Sequence, residues 1–228
     1  MACSAEAGRD RFGRVFSDGK RSEIFKNGID VDIYACGEEL HERSKRHLGY
    51  EGRPVVGNVA RLAPQKNHQF LLETTALIKK QLPDVKLICV GKGPLLKELK
   101  ERVRLLGLEE TVEFLGVRND VAELLAAFDV FVFPSVYEGL AISAIEAQAS
   151  GLPSVLSTGL PCEAVVSDLV QYVPLEDGPA AWADRCVRLL QNLPVRRDHI
   201  DDVRAHGFDI RDSARRLTDF YLGVAAGK

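Results

Sequence analysis

The stretch Val130-Phe131-Val132-Phe133-Pro134-Ser135-Val136-Tyr137-Glu138-Gly139-Leu140-Ala141-Ile142-Ser143-Ala144-Ile145-Glu146 decides how this chain folds. Its first four residues form a short apolar run that reads as a buried strand. Ala144 to Ala149 reads as a helix, stopped at Gly151 and Pro153. A strand passing through a short loop into a helix leaves free backbone N–H groups at the helix start, beyond the strand's carboxyl end. Open α/β sheets bind ligands at that edge, and such helix starts favour anions. Two carboxylates flank the position, Glu138 in the loop and Glu146 in the helix.

Upstream, the same alternation repeats. Val55–Ala60, Val85–Val90 and Val112–Leu115 read as strands, and helical spacing of apolar residues separates them. Phe70, Leu71, Thr74, Leu77, Ile78 and Leu82 mark the first of these helices. The second opens at Pro94 and stops at Gly107. Val121–Phe128 is the third, with Asn119 or Asp120 as its N-cap. Further helices are expected at Glu38–Leu48, Trp182–Leu193 and Ser213–Leu222, the last burying Leu217 with Phe220 or Tyr221. Pro153–Ser157 and Leu169–Val173 supply a fifth and a sixth strand. The expected class is α/β: a Rossmann-like, doubly wound parallel sheet of about six strands with helices on both faces. Three regions follow: residues 1–24 as an interdomain segment, 25–195 as the sheet domain and 196–228 as a helical tail.

The bulk properties narrow the function. The chain has 228 residues and a formal net charge of −3, with basic and acidic residues interspersed. Mixed charge of this kind gives solvated faces, not a nucleic-acid footprint. The five cysteines include no CxxC pair, and several lie in apolar runs, which suits buried reduced thiols of a cytoplasmic protein. The five histidines show no metal-ligand spacing. No apolar run reaches the ~18–20 residues of a transmembrane helix, and no signal peptide is legible at the start.

Several residues could do chemistry. Gly91-Lys92-Gly93 follows a strand, but Leu96 stands where a dinucleotide fingerprint needs its third glycine, and a plain tight turn fits equally well. Arg61 and Lys66 leave the carboxyl edge directly after the first strand, where they could close on a phosphate. Glu138 and Glu146 suggest an acid/base pair of the glycosidase kind. The spacing argues otherwise, because a rise of ~1.5 Å per residue puts Glu146 roughly 7–8 Å along the axis from the helix start. Two separated carboxylates suit a ligand with several hydroxyl groups, since one carboxylate can accept two hydrogen bonds from a vicinal diol.

These segments together resemble one family. Ser135-Val136-Tyr137-Glu138-Gly139-Leu140, Ile145-Glu146-Ala147 and Gly151-Leu152-Pro153 resemble the E-x7-E signature of retaining, GT-B-fold glycosyltransferases of the group 1 (family 4) type. Asn27-Gly28-Ile29-Asp30, Val59-Ala60-Arg61-Leu62 with Lys66-Asn67, Val90-Gly91-Lys92-Gly93-Pro94 and Phe114-Leu115-Gly116 look like its other motifs, in family order. The exopolysaccharide-type bacterial enzymes look closest. Ala60 departs from the pattern, standing where the family often has glycine.

The resemblance implies a nucleotide-diphosphate-sugar donor domain that works without a metal or other cofactor, UDP-linked donors being favoured over GDP- or ADP-linked ones. Glu138, Arg61 and Lys66 would be catalytic, the two cations holding the diphosphate and Glu138 the transferred hexose. Gly139 and Leu140 would lie beside sugar and phosphate, Glu146 would bind the ribose diol, Leu115 and Val117 would flank the base, and Gly91 would admit the nucleotide. Such enzymes use two Rossmann-like domains. Only residues 2–13 resemble the end of the first, so the chain is expected to be a donor-binding half that transfers little sugar alone. The acceptor would be a glycan or lipid-linked sugar in polysaccharide biosynthesis, with peripheral membrane contact left open to the full enzyme. The tail helix, lacking its usual surface, would favour self-association. Alternatives are a non-catalytic subunit of a split transferase and a GT-B-fold sugar-nucleotide epimerase.

Overall fold

The structure, a computed structural model, describes residues 23–225 together with Gly8, Arg9 and Gly13. Most of the expected 1–24 segment therefore lies outside the described residues. Six strands form one sheet: β1 (Val55–Val59), β2 (Lys86–Val90), β3 (Val112–Gly116), β4 (Val130–Phe133), β5 (Ser154–Ser157) and β6 (Val170–Val173). They run in the order β3-β2-β1-β4-β5-β6, and every pairing is parallel. The central strands β1 and β4 are buried along nearly their whole length because helices cover both faces, and the one polar side chain they hold, Asn58, donates to the Val132 carbonyl at 2.8 Å.

The helices are α1 (Glu38–His47), α2 (His68–Gln81), α3 (Leu96–Leu105), α4 (Val121–Ala127), α5 (Ile142–Ala149), α6 (Gly178–Gln191), α7 (Ile200–Ala205) and α8 (Ile210–Ala225). One face carries α2, α3 and α6, whose Leu71, Ile78, Leu99 and Trp182 pack on Val56, Leu87 and Val132. Trp182 is fully buried, meets Phe70 edge-on at 5.4 Å, and donates its indole N–H to the Pro174 carbonyl at 3.0 Å. The other face carries α4, α5 and α7, with Leu124, Leu125, Ile145 and Val203 on Val55, Phe131 and Phe133. Gly57 belongs to β1 because the Phe128 ring lies where a side chain would go: a Cβ there would stand 1.9 Å from it.

Three local expectations are revised. Asp120 precedes α4 but makes no side-chain cap; Arg118 takes its carboxylate at 2.8 Å. Helix α6 starts at Gly178, four residues before Trp182, because Pro179 in its first turn is preorganised for a helix start. Gly28 lies against the start of α8: its missing side chain admits Ile210, whose Cα would be 2.5 Å from a Cβ. On α8 Leu217 is only half-buried, as is Phe220, and Tyr221 is exposed. Cys36, Cys89 and Cys186 are buried as expected, while Cys162 is exposed. No described helix is long and apolar enough to cross a membrane.

Buried charge holds the amino-terminal edge of the sheet. Asp129 accepts from Lys45 at 2.8 Å and from the Val55 N–H at 2.7 Å. Burial would raise this carboxyl, but the His41 and Lys45 contacts outweigh it and hold Asp129 below the usual range. Arg196 is likewise buried and donates to the carbonyls of Leu125, Phe128 and Ser150, tying the ends of α4 and α5 together.

Candidate nucleotide-sugar site

Strands β1 and β4 are neighbours, with Val56 opposite Val130. From β1 the chain winds outward to β2 and β3; from β4 it winds the other way, to β5 and β6. The β1/β4 boundary is therefore the topological switch point, where loops diverge and open a crevice at the carboxyl ends. The loop after β1 carries Arg61 and Lys66, and the loop after β4 carries Glu138.

Those two loops are joined. A short 3-10 turn, Pro64–Lys66, ends at Asn67 in the left-handed conformation (φ 54°), which asparagine tolerates better than most residues. This turn presents the Gln65 carbonyl to the Val136 N–H at 2.8 Å and to the Ser135 hydroxyl at 2.9 Å. Lys66 then reaches Glu138, Nζ to Oε1 at 2.5 Å, and lies 4.9 Å above the Phe133 ring. The Ser135 hydroxyl is also within hydrogen-bond reach of Glu138 Oε1. The two side chains are 15% and 8% exposed, so each charge depends on the other for its compensation.

The Gly91-Lys92-Gly93 segment serves close packing. Gly91 has φ +131°, and a Cβ there would lie 2.1 Å from the Ala60 carbonyl oxygen; at Gly93 it would lie 2.2 Å from that of Leu62. Backbone bonds from Leu62 N–H to the Lys92 carbonyl (3.2 Å) and from Leu95 N–H to the Leu62 carbonyl (3.2 Å) lock the loops after β1 and β2 together. Arg61, Gly91, Lys92, Gly93 and Pro94 line one open hollow, and Arg61 is exposed within it with no side-chain partner among the described residues.

Helix α5 begins after Ala141 with no side-chain cap; the Ala144 N–H donates to the Ala141 carbonyl at 3.0 Å, which leaves the N–H groups of Ile142 and Ser143 at the helix start beside the loop that carries Glu138. The Glu138 N–H itself is held by the Gly159 carbonyl at 3.2 Å. Glu146, one turn into α5, is half-buried, and Tyr34 donates to its Oε1 at 2.7 Å. Burial raises the Glu146 carboxyl and the Tyr34 hydrogen bond pulls it back.

Leu115 is half-buried against the core, and Val117 is exposed past the end of β3. The structure thus joins Lys66 directly to Glu138 and sets Arg61 beside Gly91, while no side-chain contact links Arg61 to Lys66 or Glu138 among the described residues. Sequence reasoning missed Tyr34, Ser135, Gln65 and Gly159. Tyr34 lies 112 residues from Glu146, so no local spacing could have revealed the pair.

This is the Rossmann-like half of a GT-B architecture, and the chain belongs to the group 1 glycosyl transferases, whose family pattern matches residues 53–192. It is 35% identical over 224 residues to the putative glycosyltransferase EpsF of Bacillus subtilis, covering 96% of this chain and 58% of that protein. It is 27% identical over 222 residues to the UDP-Gal:alpha-D-GlcNAc-diphosphoundecaprenol alpha-1,3-galactosyltransferase of Escherichia coli, covering 94% of this chain and 57% of that one. The crystal structure of Anabaena HepE in complex with UDP superposes with a TM-score of 0.80 at 22% identity, over 97% of this chain and 63% of that chain. The chain thus spans less than two thirds of the length of these relatives.

Proposed function

We propose that the chain is the nucleotide-sugar-binding domain of a retaining glycosyltransferase that transfers a hexosyl group to a glycan or lipid-linked acceptor in polysaccharide biosynthesis. One observation carries the reading: the Lys66–Glu138 pair sits at the β1/β4 switch point, next to the uncapped start of α5. A diphosphate placed there meets the helix N-terminus, Lys66 and Arg61, which stabilise the charge that builds as the glycosidic bond breaks, with no call on a metal ion. As the phosphate engages Lys66, Glu138 is released to accept sugar hydroxyls beside the Gly139 and Leu140 backbone. Glu146, further along α5, accepts from the ribose diol, and Leu115 and Val117 flank the base. Gly91 lets the nucleotide approach the backbone.

The UDP in the HepE complex and the UDP-linked donor in the galactosyltransferase's name favour UDP over GDP or ADP. Acceptor binding is assigned to a preceding domain, so the 228-residue chain binds donor and transfers little sugar. Isothermal titration with UDP, GDP and ADP tests this. Binding of one nucleotide, weakened at least about tenfold by Arg61→Ala and by Glu146→Ala, is expected from the loss of charge-assisted contacts. Absence of binding to all three, or indifference to both substitutions, overturns the reading.

A further inference from the structure

We infer that Tyr34 is a positioning residue for the nucleotide: its phenol fixes the Glu146 carboxylate in the orientation that accepts the ribose diol. The inference rests on the proposed role of Glu146. Tyr34 ends a short 3-10 turn, Val31–Tyr34, that packs against α5 from outside the strand-end loops forming the rest of the site. Its ring belongs to the core and is only 7% exposed, so the hydroxyl cannot wander. The hydroxyl donates to Glu146 Oε1 at 2.7 Å.

A glutamate on a helix ordinarily samples several rotamers, and ordering it on ligand binding costs affinity. Anchoring Oε1 removes that freedom beforehand. The bond uses one acceptor position of the carboxylate, leaving Oε2 and the second lone pair of Oε1 for two neighbouring hydroxyls. The electrostatics run the same way. Burial, the Glu146 bond and nearby Asp30 all push the Tyr34 phenol up, so it stays a donor at any physiological pH. Burial disfavours the Glu146 anion, and among the described residues Tyr34 is the ionisable group that offsets this. A buried acid that must accept two hydrogen bonds needs such a partner.

Tyr34→Phe deletes the oxygen and keeps the ring. Affinities of the full chain for UDP, GDP and ADP are measured against their 2′,3′-dideoxy counterparts at pH 8 and pH 6, with Glu146→Gln in parallel. The ribonucleotide that binds is expected to weaken about five- to tenfold in Tyr34→Phe, the size of one lost charge-assisted hydrogen bond. The dideoxy form should be unchanged. Any pH dependence of the loss should run towards a larger loss at the lower pH, because Glu146 without its donor protonates more readily. Both affinities come from one preparation, so an unfolded fraction cancels in their ratio. Equal weakening of both ligands, which packing alone would give, overturns the inference; so does an unchanged ratio. If Glu146→Gln abolishes the preference for the diol while Tyr34→Phe keeps it, the Tyr34 inference falls alone. If the wild-type chain shows no such preference, the ribose role of Glu146 falls first and the inference goes with it.

Discussion

Among single residues, the arrangement of charge at the β1/β4 edge is the informative feature. Glu138 was legible from its place between strand and helix, and Lys66 from its place after β1; their direct bond was not. Another member of the same loop is a stability element. His68 opens α2 and is 2% exposed, and neither ring nitrogen has a hydrogen-bond partner among the described residues. Burial, with Lys66 nearby, lowers its pKa from 6.5 to about 4. The unfolded chain therefore binds the extra proton first, so this contribution to stability is complete above about pH 6.5 and declines as pH falls towards 4. The wild-type chain should lose about 2 kcal/mol at pH 5 from this source relative to pH 8. Urea titration of wild type and His68→Phe at both pH values checks this: the variant should lack that part of the drop.

At the scale of elements, glycine marks where one loop presses on another. The sequence offered Gly91-Lys92-Gly93 as either part of a nucleotide fingerprint or a tight turn. Neither description captures its main constraint, which is backbone contact with Ala60 and Leu62. Gly91→Ala must move the loop after β1, at a cost of about 2 kcal/mol or more, and it should also weaken nucleotide binding by displacing Arg61. Denaturant midpoints and titrations of this variant test both parts. Helix α7 escaped the sequence because its six residues span less than two turns, too short for a period to show. The start of α6 escaped because Gly178 and Pro179 read as loop residues when taken alone.

At the scale of the whole molecule, Arg196 joins what the chain separates. Its guanidinium satisfies carbonyls at the ends of α4 and α5, so the segment after α6 secures the helix that carries Glu146. Arg196→Met leaves those carbonyls unpaired in the interior and should cost about 2–4 kcal/mol, read as a fall in the urea midpoint. Helix α8 behaves differently. Asp209 at its start bridges to Ile29, while Tyr221, Leu222 and Val224 are exposed further along. Sedimentation over a concentration series should show association through this face, and Leu222→Glu should abolish it; a strictly monomeric profile counts against that expectation.

By itself the sequence determined the alternation of buried strands and amphipathic helices, hence a parallel sheet and the side of it on which Arg61, Lys66, Glu138 and Glu146 would stand. Local periodicity carries that information, because each strand and helix records in its own residues which face is buried. Tertiary structure alone decided that β1 and β4 lie side by side, that Lys66 closes on Glu138, and that Tyr34 holds Glu146. Those contacts depend on strand order and on loops meeting across 72 and 112 residues. Nothing within a single window of sequence encodes a partner that distant; it is fixed only when the sheet assembles.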